Sequence, residues 1–125
     1  MEVNVRECGE TTLVELIGRM THSDTDIFQQ LILSLSSAKP KRLIIDLSSL
    51  GFVDSVAIGM FLILQDDTVS NGGLLTLYNP SGQVKQVFNL TRMRDFLTIR
   101  LKDEQQDYSG PYIVLIPINQ AVVEH

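Results

Sequence analysis

Leu43-Ile44-Ile45 is a short, unbroken apolar run, and soon after it the chain enters Val56–Leu64, which is apolar at nearly every position. A strand with no polar alternation is the pattern of one buried on both faces, as in the middle of a parallel sheet. A helix that is apolar almost all round must be covered on several sides. The two together call for a layered α/β domain with helices packed against a sheet.

The rest of the chain fits that plan. Val3–Arg6 and Thr12–Ile17 read as strands, joined by a hairpin signal at Gly9-Glu10. Gly18–His22 reads as a connector, and Ser23-Asp24-Thr25-Asp26 has the form of a capping box. Ile27, Leu31 and Leu35, with Phe28 and Ile32 beside them, recur at helical spacing up to Lys39-Pro40, where proline disfavours further helix. A strand over Arg42–Leu47 is followed by a helix from about Ser55 to Thr68, which stops before Asn71-Gly72-Gly73. Leu74–Tyr78, about Gly82–Leu90 and Phe96–Leu101 continue the series as strand, helix and strand. Alternation of this kind implies parallel strands with right-handed crossovers, and the opening hairpin makes the sheet mixed. Residues 103–111 read as a linker and Tyr112–Ile118 as an extra C-terminal strand, placed at an edge by Pro117. The expected organisation is one domain over residues 1–102. Residues 103–125 either complete the same sheet or exchange with a neighbour, which would make a homodimer.

Composition removes several function classes. A net charge of −5 gives no basic stripe for nucleic acid. Arg92, Arg94, Arg100 and Lys102 form a thin basic cluster with acidic residues interspersed, which reads as a solvated face. Cys8 is the single cysteine, so no intramolecular disulfide can form and zinc would lack its usual thiolates. The start of the chain lacks the features of a signal peptide, and Val56–Leu64 is too short to span a bilayer. The expectation is a cytoplasmic protein without membrane insertion, metal or cofactor.

Candidate chemistry gathers where the central strand meets the apolar helix. In open α/β sheets partners meet the loops at the carboxyl ends of strands, here Gly18–Ser23 and Ser48–Asp54. Ser55 falls at a helix start, where backbone N–H groups lack intrahelical partners and the dipole favours an anion. Asp54 or Ser55 can equally be a simple helix cap. A hydrolase built on Ser55 and His22 is disfavoured, because Val53-Asp54-Ser55-Val56-Ala57 lacks the Gly-x-Ser-x-Gly elbow. No phosphate-cradling glycine loop or calcium loop is present either, so the chain reads as a binder and not as an enzyme.

Leu43–Leu47, Phe52–Gly59, Gly72-Gly73-Leu74 and the spacing Pro80…Val84…Val87-Phe88…Leu90 resemble the STAS domain. More narrowly, they resemble bacterial anti-sigma factor antagonists, over about residues 3–101. The resemblance implies that a serine-kinase anti-sigma factor phosphorylates the residue after the aspartate, Ser55. It also implies that the unphosphorylated protein binds that kinase and frees a sigma factor, and that a phosphatase resets the cycle. Asp54, Val56, Ala57 and Met60, with Thr21, His22 and Ser23 on the neighbouring loop, are the partner-binding residues expected on this basis. The chain departs from the family at Val56, where Ser or Thr is frequent, and at Ala57, where Gly is usual. It departs again at Gly18-Arg19-Met20-Thr21, where two acidic positions are lost, and at Arg92, where Gly commonly follows the third helix. The alternative is an unphosphorylated scaffold subunit of a transporter regulator or a stress-signalling complex.

Overall fold

The computed structural model describes residues 1–101 and 114–117. The chain runs β1 (Glu2–Cys8), β2 (Thr11–Met20), α1 (Thr25–Ala38), β3 (Arg42–Val53), α2 (Ser55–Ser70), β4 (Leu74–Tyr78), α3 (Gly82–Leu90), β5 (Thr98–Arg100) and β6 (Val114–Pro117). The strands form one mixed sheet in the order β5-β4-β3-β2-β1-β6. β2, β3, β4 and β5 pair in parallel, and β1 is antiparallel to both β2 and β6. The expected mixed α/β architecture with an extra C-terminal strand is what the protein adopts. β6 pairs with β1 of its own chain, Pro117 opposite Asn4, at the sheet edge. The expected linker over 103–111 lies outside the described residues.

The pleat sorts the strand residues. Val3, Val5, Val14, Leu16, Leu43, Ile45, Leu47, Leu75, Leu77 and Ile99 enter one core with the buried sides of α1, α2 and α3. On the opposite face Leu13, Ile44 and Tyr78 form a second buried cluster. Leu43-Ile44-Ile45 is thus buried on both faces, as its lack of alternation requires. Three phenylalanines tie the helices together. Phe61 of α2 meets Phe28 of α1 at 5.7 Å and Phe88 of α3 at 5.9 Å between ring centroids, both edge to face.

Two strands run further than sequence indicates. β3 continues through Ser48–Val53, which was expected as a loop, and β2 continues through Gly18–Met20, which was expected as a connector. Serine and glycine are weak strand formers, but each segment is the other's partner: Gly18 faces Leu50, Arg19 faces Phe52 and Met20 faces Val53. Two register shifts, between Glu15 and Ile17 and between Gly18 and Arg19, absorb the mismatch. β5 is shorter than the expected Phe96–Leu101, because Met93–Asp95 forms a 3-10 turn and Phe96 N–H bonds to Met93 C=O at 3.0 Å. Arg92, just before that turn, adopts φ 55°, a left-handed conformation in which glycine is least strained.

Gly73 marks a close approach. A Cβ at this position would lie 2.5 Å from the Pro40 carbonyl oxygen, and both backbones are held there by Gly73 N–H to Thr68 C=O and Leu74 N–H to Lys41 C=O. Gly73→Ala is expected to destabilise the domain by about 1–3 kcal/mol, the usual range for overpacking. Urea denaturation checks this, and an unchanged midpoint would mean that the α2–β4 turn shifts freely.

Candidate functional site

The two loops at the carboxyl ends of β2 and β3 lie side by side, since Asp54 N–H bonds to Met20 C=O at 3.3 Å. Asp54 is the N-cap of α2, and its Oδ1 accepts from the Ala57 N–H at 2.9 Å. Its other oxygen turns to the neighbouring loop. Oδ2 accepts from the His22 backbone N–H at 2.8 Å and lies 3.4 Å from His22 Nδ1. One carboxylate therefore closes the helix start and ties it to the β2–α1 loop. The Ala57 N–H holds the Asp54 carboxyl below the ordinary aspartate value of 3.8; partial burial opposes this, and the His22 backbone and ring reinforce it.

The β2–α1 loop is built on Thr21. Its hydroxyl accepts from the Ser23 N–H at 3.3 Å, and its own N–H donates to Asp24 Oδ2 at 2.9 Å. The capping box is thus Thr21 with Asp24 around a 3-10 turn, not Ser23 with Asp26 as sequence suggested. The chain begins to turn at Thr21, as soon as β2 ends at Met20, so the first hydroxyl available takes the cap. His22 and Ser23 are exposed, and Thr21 is half-buried.

Ser55 occupies the first position of α2 and is exposed, as is Val56. Ala57, 1 % exposed, and Met60, 7 % exposed, instead point into the core. A side chain so covered offers a partner almost nothing to touch. The exposed apolar residues of the helix are instead Val56, Leu62, Ile63 and Val69. The near-uniform apolarity of α2 hid this division, because the inner and outer sides carry the same residue types.

Two supports were invisible in the sequence. Gln83 of α3 grips the residue before the cap, its Oε1 accepting from Val53 N–H at 3.0 Å and its Nε2 donating to Val53 C=O at 2.9 Å. The Arg19 guanidinium lies 4.2 Å from the centroid of the Phe52 ring, across the β2–β3 pair. Only the pairing register brings Arg19 to Phe52, and Gln83 comes from another helix, so local spacing carried no signal of either. Among the described residues no cluster of three His, Cys, Asp or Glu could hold a metal, and no helix is long and apolar enough to cross a membrane.

The loss of the Asp54 cap has two measurable effects. Asp54→Ala is expected to cost about 1 kcal/mol through the lost N-cap. A carboxyl whose value is lowered by folding stabilises the folded state above its unfolded value and loses that contribution as pH falls through the folded one. The wild type should therefore lose more stability than Asp54→Ala as pH drops below 3.8. Parallel curves in acid denaturation followed by circular dichroism would contradict the assigned cap.

The STAS domain matches residues 2–106, and the chain belongs to that family. A STAS-domain containing protein of Pseudomonas aeruginosa (strain UCBPP-PA14) is 24% identical over 95 residues, covering 73% of this chain and 89% of that protein. Among solved structures, an anti-sigma factor antagonist from Mycobacterium paratuberculosis matches with a TM-score of 0.71 at 17% identity, over 78% of this chain and 83% of its own. The Bacillus cell fate determinant SpoIIAA in its phosphorylated form matches with a TM-score of 0.58 at 21% identity, over 78% and 91%. At these identities the structural likeness establishes the shared fold.

Proposed function

We propose that this protein is a regulator of the anti-sigma factor antagonist type. It binds a serine-kinase anti-sigma factor, and phosphorylation of Ser55 switches that binding off. The observation that carries this reading is the position of Ser55: an exposed residue at the first position of α2, behind which Asp54 is fixed by hydrogen bonds from the β2–α1 loop and from α2 itself. A kinase needs a hydroxyl that can enter its own active site, and a rigid helix-start corner presents one. The existence of SpoIIAA in a phosphorylated form on the same fold supports placing the modification in this fold.

The chain acts as substrate and binder. Unphosphorylated, Ser55 and the apolar Val56 beside it dock on the kinase, with His22 and Ser23 flanking them. A phosphate brings about −1.5 to −2 charges. The free N–H groups of α2 favour that charge and Asp54 opposes it, so the fold is little perturbed and the change is felt at the interface. A phosphatase restores the binding form. Both partners are proteins of the cytoplasm, where this reading places the chain.

Phosphosite mass spectrometry of protein purified from its host, through growth and stress, tests the modification. Phosphate on Ser55, together with capture of a kinase-fold protein by Ser55→Ala, is the expected result. Absence of the modification, with identical partners for wild type and variants, would assign the chain to a constitutive scaffold.

A further inference from the structure

Among the described residues, basic side chains are unevenly distributed over the helices. No Lys or Arg occurs between Arg19 and Lys39 or between Arg42 and Lys85, so α1 and α2 carry none. The two helices pack against each other, and Asp26 and Asp66 stand exposed on them. Their outer side also carries large apolar side chains among polar ones such as Gln29, Gln30 and Ser37: Leu33 is 71 % exposed and Ile63 54 %, with Val56, Leu62 and Val69 also in solvent. Large apolar side chains exposed beside carboxylates are a combination that protein interfaces use.

The complement lies on the same molecule. From Asn79 to Leu101 the chain carries Lys85, Arg92, Arg94 and Arg100 against one carboxylate, Asp95. The turn joining α3 to β5 exposes two large apolar side chains, Leu90 at 84 % and Phe96 at 62 %. Arg92 is bound to Asp95 at 3.1 Å but stays largely in solvent, and Lys85 and Arg100 are exposed. Two exposed apolar side chains thus occur in the same stretch as these basic residues.

We propose that copies of this chain associate head to tail, the α3–β5 corner of one seated on the α1–α2 face of the next. Like faces repel, because acid would meet acid, so the contact is heterologous and not a two-fold dimer. The overall charge of −5 opposes association at long range, but at physiological salt this is screened beyond about 8 Å, leaving the local match to decide. The contact occupies the helix that the proposed kinase would use, so the two bindings exclude one another.

Sedimentation equilibrium of the whole chain from about 10 μM to 1 mM tests the proposal. The average mass should rise steadily above 14.0 kDa. The variants Leu33→Ser/Ile63→Ser and Leu90→Ser/Phe96→Ser should each stay monomeric, with unchanged circular dichroism because all four side chains are exposed. Mixed, they should form a complex that stops at two chains, since each keeps one intact face. Asp66→Lys makes the chain two units less negative, which general repulsion would reward, yet it should weaken association at least tenfold. A wild type that remains at monomer mass, a mixture that does not pair, or an Asp66→Lys variant that associates more tightly would each overturn the proposal. Co-sedimentation of monomeric wild type with phosphatidylglycerol vesicles, lost in Leu90→Ser/Phe96→Ser, would give the corner to a lipid surface and overturn it equally.

Discussion

Phe61→Ala should remove about 3–5 kcal/mol of stability, the range for deleting a large aromatic from a core. Phe61 is fully buried and is the middle ring of a line that joins all three helices, Phe28–Phe61–Phe88. Truncation removes the apolar burial and leaves a cavity. It also severs two edge-to-face contacts at once, each worth roughly 0.5–1.5 kcal/mol beyond the area it covers. A domain of this size has only about 5–15 kcal/mol in total, so the variant should be only marginally folded. Urea denaturation at constant slope measures the loss. Phe61→Leu fills most of the space and should cost much less. A loss under about 1 kcal/mol for Phe61→Ala would mean that the helices close over the gap, and that the phenylalanine line is not what organises their layer.

Ser55→Asp should weaken binding of the proposed kinase partner by about thirtyfold, equivalent to about 2 kcal/mol, while Ser55→Ala binds like the wild type. The expectation follows from location. The side chain is exposed and sits beside Val56, so a carboxylate there must shed water when an apolar partner closes over it. Ser55 makes no part of the cap, which belongs to Asp54, so neither variant should alter thermal stability by more than about 0.5 kcal/mol. Titration calorimetry with the purified partner separates the cases. Equal affinity of all three proteins would remove the switch and leave a scaffold. Weakened binding by Ser55→Ala as well would show that the hydroxyl itself is recognised.

The order of strands and helices was legible because each element carried its own period. The unbroken Leu43-Ile44-Ile45 run announced a central strand, and Leu74–Tyr78 and Gly82–Leu90 begin and end where their flanking turn residues indicate. What escaped was decided by pairing between distant segments. Ser48–Val53 becomes strand only because Ile17–Met20 lies alongside it, and neither sequence favours that state alone. The position of Asp54 and Ser55 at a helix start was readable from the change of pattern. The inward turn of Ala57 and Met60 was not, since an all-apolar helix does not say which side is covered. The exposed Leu90 and Phe96 were hidden for the opposite reason, because their basic neighbours dominate that stretch of sequence.

The grip of Gln83 on Val53 has a consequence of its own. Two hydrogen bonds from a side-chain amide imitate the rung that another strand would supply, so α3 holds the segment leading into the serine corner. Amide plane and peptide plane match only in one orientation, and a tilt of α3 would therefore carry the corner with it. Events at the far end of that helix, including whatever seats itself on Leu90, have a mechanical route to Ser55 that crosses no part of α2.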